Sequence, residues 1–267
     1  APPVVEKTAP FVPGSGPDYA VDCLRRNEHK YSEKSRNMPS YFVREEIVRA
    51  VVENKVTVIS GGTGCGKTTL IPQFLLDAGV LAPAKQIICT QPRRISAISI
   101  PEYISSERGT PFGGETGFQI RFVNMTTPET KIVFATTAIL LRRLHSDPIL
   151  SDVGVLIVDE VHERDIYSEF LLLLVRELLA KNKADLKLVL MSATLSASDF
   201  AEYFKSLATD KGSNIQVIDI PGRLHPITEY YLEDALDWTG HQIQKVGKGG
   251  GKGKGKGKGK GRRDEEP

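Results

Sequence analysis

Cysteine is scarce in this chain of 267 residues, which contains only Cys23, Cys65 and Cys89 and no C-x-x-C spacing. An odd number of widely spaced cysteines argues against a disulfide framework and against a structural zinc site. It favours a reducing intracellular compartment, cytoplasmic or nuclear. Apolar runs are also short, and none reaches the ~18–20 residues that a membrane helix requires, so we expect no membrane partner. Residues 1–17 are rich in proline and lack an apolar core, which argues against a secretory signal.

Positive charge is concentrated at one end of the chain. The formal net charge is +2, but residues 245–267 hold seven lysines and two arginines against three acidic residues. The remaining sequence is mildly acidic, with 26 basic and 30 acidic residues. Glycine and lysine alternate through residues 247–261 without any aromatic residue, which predicts a disordered, extended segment. Two interpretations stay open for it: a solvated spacer, or a sequence-blind contact with nucleic-acid phosphates.

One stretch of the chain matches the phosphate-binding loop G-x-x-x-x-G-K-[ST]. It consists of Gly61, Gly62, Thr63, Gly64, Cys65, Gly66, Lys67, Thr68 and Thr69. A predicted strand precedes this stretch and a predicted helix begins at Lys67, which is the context that the motif requires. The glycines let backbone N–H groups turn towards phosphates, and Lys67 reaches the β- and γ-phosphates. Only the backbone of Cys65 is needed there.

A pair of acidic residues follows a second apolar run. Asp159 and Glu160 come directly after Val153–Val158 and are followed by Val161 and His162. Asp159 can hold Mg²⁺ through water, and Glu160 can orient or deprotonate an attacking water. Taken alone, the first motif could be a plain glycine-rich turn and the second a helix cap. Both motifs occur in order, each after a strand, and together they predict NTP hydrolysis.

Apolar β-type runs alternate with helical patterns along most of the chain. The predicted strands are Val56–Ser60, Gln86–Thr90, Lys131–Thr136, Val153–Asp159, Leu186–Ser192 and Gln216–Ile220. The predicted helices between them are Lys67–Ala78, Ile95–Arg108, Ala138–His145, Glu169–Asn182 and Ala197–Leu207. Strands that are almost continuously apolar indicate a mainly parallel sheet covered by helices on both faces. Ligands bind such α/β sheets at the carboxyl ends of the strands, where both nucleotide motifs fall.

Three segments of different composition divide the chain. Residues 1–37 form a proline-rich and polar N-terminal extension, with a short helix within Asp18–Asn37, and residues 38–236 form the α/β domain. In that domain Ser40 is expected to cap a helix whose apolar residues run from Phe42 to Val52. Residues 237–267 form a basic low-complexity tail or a linker. Disordered ends are expected on both sides of the domain.

The complete motif set resembles the first RecA-like domain of the DExH-box RNA helicases of superfamily 2. Within that group the chain looks closest to the branch that contains RNA helicase A and the G-quadruplex-resolving helicase. The resemblance covers roughly residues 38–236, and its motifs are highly specific because they occur in order. They are Gly61–Thr69 for motif I, Thr90–Ala97 for motif Ia, Gly117–Phe122, Thr136–Arg142 for motif Ib, Asp159–His162 for motif II and Ser192–Thr194 for motif III.

The resemblance implies roles for the nucleotide residues. Lys67 and Thr68 would bind phosphate and Mg²⁺, and Asp159 and Glu160 would complete the metal and water site. His162 would bridge towards the second lobe of the family, although a capping or packing histidine is the alternative. The implied cofactors are therefore ATP and Mg²⁺. The implied fold is a single RecA-like P-loop NTPase domain of the α/β class.

The resemblance also implies contacts with single-stranded RNA. Arg93 and Thr137 would contact RNA phosphates, because a helicase that moves over any sequence must hold the backbone. Ser192 and Thr194 would couple nucleotide state to that grip. Further candidates for RNA contact are Thr136, Arg94 and Arg121. The alternative for Arg94 is support of the loop, and the alternative for Arg121 is pairing with surface carboxylates.

One position departs from the family pattern near the base of the nucleotide. The family usually reads A-E-R-V where this chain has Ile100, Pro101, Glu102 and Tyr103. The arginine of that pattern stacks on adenine, and here its position is Tyr103. An aromatic ring can also stack on a purine, but it lacks the charge and the paired donors of a guanidinium.

The sequence contains no second-lobe motif and no Q-R-x-G-R-A-G-R segment with its arginine fingers. Such fingers contribute about 10³–10⁵ in rate for related NTPases. We therefore expect one lobe of a larger 3′-to-5′ RNA helicase, whose partners include a second RecA lobe and C-terminal domains. The alternatives are a nucleotide- or RNA-binding scaffold module and a lobe of a DNA helicase.

Overall fold

A computed structural model describes residues 16–181, 186–193, 197–205, 215–222 and 228–241. The predictions for Thr194 and for the disordered ends lie outside the described residues. The chain divides into two compact units, residues 1–224 and residues 225–267. The first contains all of the motifs. In the described part of the second, one helix (Leu232–Thr239) begins where the Asp234 carboxylate accepts a hydrogen bond from the backbone N–H of Tyr231.

Among the described residues of the first unit, eight strands form one sheet. They are β1 (Val56–Gly61), β2 (Gln86–Gln91), β3 (Thr116–Ile120), β4 (Val123–Met125), β5 (Ile132–Thr136), β6 (Val153–Val158), β7 (Lys187–Ser192) and β8 (Gln216–Ile220). Their order across the sheet is β4-β3-β5-β2-β6-β7-β1-β8. All neighbours are parallel except β3 and β4, which form an antiparallel hairpin. Parallel pairing brings the carboxyl ends of β1, β2, β6 and β7 to the same edge.

Helices cover both faces of the sheet. In chain order they are α1 (Pro17–Arg26), α2 (Glu33–Arg36), α3 (Pro39–Phe42), α4 (Arg44–Glu53), α5 (Lys67–Asp77), α6 (Arg94–Arg108), α7 (Thr137–Ser146), α8 (Ile166–Ala180) and α9 (Ala197–Phe204). Neighbouring strand residues enter different cores: Ile59 packs in the cluster with α1, α4, α5 and α6, and Val58 in the cluster with α7, α8 and α9. The predicted α/β class is confirmed. Among the described residues, every helix is too short or too polar to cross a membrane.

The hairpin of β3 and β4 was missing from the strands predicted from apolar runs. All three residues of β4 are exposed, so no apolar run signals this strand. The tip of the hairpin places Phe122 in the left-handed region, at φ 68°, with 89% of its surface exposed. The predicted strands match observed strands to within one residue at each end.

The prediction that Ser40 caps one long helix is wrong. Two helices, α3 and α4, occupy that stretch, and the chain turns between them at Val43. Pro39 begins α3, a position that suits proline because its missing N–H needs no partner there. Ser40 lies inside α3 and is buried, and its backbone N–H donates to the carbonyl of Cys65 at 3.0 Å. Phe42, expected on the apolar face, is 68% exposed.

Helix α1 packs into the core although its sequence falls in the predicted polar extension. Ala20, Val21 and Leu24 on one side of it are fully buried among α4 and α5. Composition alone does not predict this apolar face, because charged residues lie among its members in the sequence. The segment after α1 is tied down by polar contacts, since Lys30 and Tyr31 both bond the Asp77 carboxylate of α5.

Candidate functional site: a phosphate-binding loop joined to an acidic strand end

The phosphate-binding loop connects the end of β1 to the start of α5. Its residues Gly62, Thr63 and Gly64 are exposed. Gly66 has a φ of 91°, which glycine adopts without strain. A side chain at Gly66 would also meet the Ser40 hydroxyl at 2.7 Å, so α3 packs directly against the loop. Glycine is therefore required at this position for two independent reasons.

Lys67 is buried and folded back onto the loop. Its ammonium group donates to the carbonyl of Gly61 and, at 3.0 Å, to the carbonyl of Gly62. The thiol sulfur of Cys65 lies 3.5 Å from the same nitrogen. These partners satisfy a buried cation without a ligand. A phosphate entering the loop would compete for this ammonium group with backbone carbonyls.

Asp159 is the point at which the motifs meet. Its side chain, on a residue only 1% exposed, accepts hydrogen bonds from the Thr68 hydroxyl at 2.6 Å and the Gln91 amide at 2.8 Å, both on Oδ2. The backbone N–H of Glu160 donates to the other oxygen, Oδ1, at 2.8 Å. Burial raises the pKa of this carboxyl, and the bonds from Thr68 and Gln91 oppose that rise. The carboxylate is thus held in one orientation by residues from three motifs.

Glu160 has a backbone that only a few non-glycine residues adopt. Its φ of 54° and ψ of 36° lie in the left-handed region, and a 3₁₀ turn, Val161–Glu163, follows it. Such conformations concentrate at functional sites, where the surrounding structure enforces them. Burial, and next the charge of Asp159, raise the pKa of the Glu160 carboxyl above its ordinary value. A raised pKa makes a carboxylate a better proton acceptor.

His162 links motif II to motif III. Its Nδ1 accepts a hydrogen bond from the backbone N–H of Ala193 at 3.2 Å, which requires a lone pair on that nitrogen. The Glu160 carboxylate lies 3.5 Å from the same atom. Because Nδ1 accepts a hydrogen bond from the Ala193 N–H and so carries no proton itself, its contact with Glu160 is proximity rather than an ion pair. Ser192, next to Ala193, is fully buried at the end of β7.

The oxygen atoms at this edge fit Mg²⁺. The Thr68 hydroxyl and the Asp159 carboxylate are adjacent, and both are oxygen donors of the kind that Mg²⁺ prefers. Among the described residues, no group of three His, Cys, Asp or Glu side chains is placed to hold a metal. Protein sites for this ion commonly use one or two carboxylates together with substrate phosphates. Thr68 and Asp159 are therefore the residues that would hold it, with Glu160 beside them.

The candidate RNA residues lie on several elements. Arg93 and Arg94 are exposed at the start of α6, and the Arg93 guanidinium pairs with Glu163 at 2.9 Å. Thr136 is partly buried, and Thr137 is buried with its hydroxyl lacking a described partner. Arg121 is exposed on the hairpin, with its guanidinium 4.7 Å from the centre of the Phe122 ring.

Tyr103 lies on α6, and Gln91 lies at the end of β2. Tyr103, in the second half of α6, is 38% exposed, and the Lys34 ammonium lies 5.3 Å from its ring centre. Gln91 belongs to motif Ia, but the sequence alone predicts no role for it. A glutamine that ends a buried strand beside another motif-bearing strand is the signal that could have identified it.

Comparison with known proteins places these features in a family. A model of the DEAD/DEAH box helicase family matches residues 42–203. The chain is 43% identical over 215 residues to the DExH-box ATP-dependent RNA helicase DExH1 of Arabidopsis thaliana, covering 79% of this chain and 21% of that protein. It is 42% identical over 222 residues to the ATP-dependent DNA/RNA helicase DHX36 of Homo sapiens, covering 80% and 21%. For the putative ATP-dependent RNA helicase DHX57 of Mus musculus the values are 44% over 222 residues, 82% and 15%.

Proposed function

Because the chain belongs to the DEAD/DEAH box helicase family, we propose that it is the ATP-binding RecA-like lobe of an ATP-dependent RNA helicase. The observation that carries this proposal is the direct bond between the Thr68 hydroxyl and the Asp159 carboxylate. It joins the phosphate loop to the acidic strand end across 91 positions of sequence. The chain spans only 15% to 21% of the length of the three relatives named above. Helicase activity therefore belongs to a longer protein that would also supply a second lobe.

In this proposal the chain binds the phosphates of ATP through the loop. Lys67 exchanges its carbonyl partners for β- and γ-phosphate oxygens, and the N–H groups at the start of α5 face the same charge. Thr68 and Asp159 would hold Mg²⁺, which neutralises charge on the phosphate oxygens. Glu160, which follows Asp159 at the end of β6 in an enforced left-handed conformation, would orient the attacking water and accept its proton. Without arginine fingers, the chain alone is expected to turn over slowly.

The proposed RNA surface is the region of motifs Ia and Ib. Exposed Arg93 and Arg94 supply charge for phosphate contacts, with Thr136, Thr137 and Arg121 as further candidates. The pair between Arg93 and Glu163 supports a link to motif II, since an RNA phosphate would replace Glu163 as the partner of Arg93. Residues 247–263 would add sequence-blind, salt-dependent affinity. The 3′-to-5′ direction rests on the family resemblance.

The experiment that tests this function compares nucleic acids as activators. ATP turnover is measured in a protein that contains both lobes, with single-stranded RNA, single-stranded DNA of matched sequence, and no nucleic acid. We expect the largest stimulation by RNA. Equal stimulation by DNA would favour the DNA helicase alternative, which the name of the DNA/RNA helicase DHX36 keeps in view. Turnover that neither polymer changes would favour a scaffold module.

A prediction for Tyr103 follows from the base-stacking role proposed for it. Tyr103→Ala is expected to weaken ADP affinity several-fold, because stacking on a purine is worth about 1 kcal/mol. Tyr103→Arg should roughly preserve affinity, since a guanidinium also stacks. Fluorescence titration with ADP checks this, and GDP should bind almost as well because stacking reads no base edges. Unchanged affinity in Tyr103→Ala would leave the ring as the surface partner of Lys34.

A further inference from the structure

Gln91 is the last residue of β2, which lies next to β6, and Asp159 directly follows β6. β2 and β6 are parallel neighbours, and Thr90 is paired with Val158 in their register. The residue after each member of this pair is therefore Gln91 on one strand and Asp159 on the other. Register alone brings the amide and the carboxylate together. The exposed fraction of Gln91 is only 2%, so little water competes for its amide.

The contact is specific in its chemistry. A carboxylate can only accept hydrogen bonds, so the amide nitrogen of Gln91 must face Asp159. Among the described residues, the other contact of that nitrogen is the Cys89 sulfur at 3.7 Å, which is a weak acceptor. The Asp159 oxygen at 2.8 Å is thus its strong partner. Gln91 donates to the same oxygen, Oδ2, that accepts from Thr68.

We propose that Gln91 is a positioning residue that fixes the Asp159 carboxylate in the orientation needed to hold Mg²⁺ beside Thr68. This inference rests on the proposed nucleotide site and assigns it a supporting donor. When Mg²⁺ binds, the Thr68 hydroxyl would turn its oxygen towards the ion. The hydrogen bond from Thr68 to Asp159 would therefore differ between the ion-free and the ion-bound site. Gln91 is buried and needs none of its atoms for the ion, so its hydrogen bond to Asp159 would be kept whether or not Mg²⁺ is bound. Supporting donors of this kind change metal affinity or activity by about 10–100-fold when removed.

The test measures how strongly Mg²⁺ promotes nucleotide binding. Affinity for a fluorescent ADP analogue is determined for the chain in EDTA and in saturating Mg²⁺, and the ratio of the two dissociation constants is compared between variants. Gln91→Met keeps the length of the side chain and removes the donor. We expect its ratio to fall about tenfold or more, with affinity in EDTA unchanged. Stabilisation against heat by Mg²⁺ and ADP together should fall in parallel.

Gln73→Met is the matched control. Gln73 is a buried glutamine of α5 whose amide nitrogen donates to the carbonyl of Thr69 and whose amide oxygen accepts from Arg108 at 3.2 Å, so neither end contacts Asp159. Its variant should keep the wild-type ratio. If Gln91→Met does not fold, Gln91→Asn replaces it, because an amide shortened by one methylene no longer reaches the carboxylate.

Two results would overturn the inference. One is a wild-type ratio in a folded Gln91 variant, and the other is an equal loss of affinity in EDTA and in Mg²⁺, which would mean that Gln91 shapes the phosphate loop. Failure of the proposed nucleotide site is distinguishable from both. In that case the wild-type chain itself would not bind the ADP analogue under either condition.

Discussion

Replacing Glu160 with glutamine is expected to lower ATP turnover by about 10²–10⁴-fold, the usual contribution of a positioned general base. The amide keeps the shape of the side chain but cannot accept the proton of the attacking water. Nucleotide affinity should be nearly unchanged, because Lys67, Thr68 and the backbone of the loop hold the phosphates. Single-turnover hydrolysis and ADP titration, both in a protein with two lobes, measure the two effects separately.

Lys67→Ala supplies the contrast to Glu160→Gln. It removes the ammonium group from the loop and should lose nucleotide binding first, with turnover falling as a consequence. A Glu160→Gln variant that hydrolyses ATP at the wild-type rate would show that another group activates the water. Loss of ADP affinity in that variant, comparable to the loss in Lys67→Ala, would make Glu160 a binding residue instead.

A large loss of stability is expected from Asp77→Asn. Asp77 on α5 and Arg108 on α6 form a buried ion pair at 2.9 Å, with side chains 1% and 3% exposed. Lys30 and Tyr31 also bond this carboxylate, so it ties the segment after α1 to the core. Removing the charge leaves the buried Arg108 guanidinium with Glu115 as its remaining carboxylate partner, at 2.8 Å, so the cost should approach but not exceed the roughly 3–5 kcal/mol of a broken buried ion pair. Thermal unfolding should then occur about 6–20 °C lower in a domain of this size.

Glu177→Gln is the control for Asp77→Asn. Glu177 pairs with Lys181 at 2.7 Å on the surface of α8, where both side chains are more than half exposed. Such an exposed pair contributes little to stability because water screens it, so this variant should unfold almost as the wild type does. Equal stability losses in the two variants would contradict the assignment of Asp77 as a buried anchor.

The stability that Asp77 contributes should also depend on pH. Burial alone would raise the pKa of this carboxyl, but the hydrogen bonds and charge of Arg108 hold it below its ordinary value. The contribution is therefore fully present above the unfolded pKa of about 3.9 and is lost as the pH falls through the folded pKa. The difference in unfolding free energy between wild type and Asp77→Asn should be constant from about pH 7 to 5 and shrink below about pH 4.

Apolar runs and nucleotide motifs predict much of this molecule. The predicted strands match observed ones because a parallel sheet covered on both faces buries its strands continuously. Apolar runs do not predict the hairpin of β3 and β4, since β4 is exposed and lies at the edge of the sheet. Helix α1 is not predicted as part of the core although it is buried on one side, because charged residues interrupt its apolar face in the sequence.

The candidate site shows the same division. The motifs predict Lys67, Thr68, Asp159 and Glu160 as site residues, and the family resemblance is confirmed by the match over residues 42–203. Gln91 is not identified, because its contact with Asp159 depends on which strands are neighbours. Ser40 lies inside α3 instead of capping a helix, and this position also depends on packing, because Ser40 lies against the phosphate loop at Gly66.

The most direct test of the nucleotide site is a calorimetric titration of the chain with ADP in the presence of Mg²⁺. The proposed nucleotide site is expected to bind one ADP per chain, with an affinity that is reduced by EDTA and abolished in Lys67→Ala. Absence of binding in the wild type would contradict it, as would binding that neither EDTA nor Lys67→Ala changes.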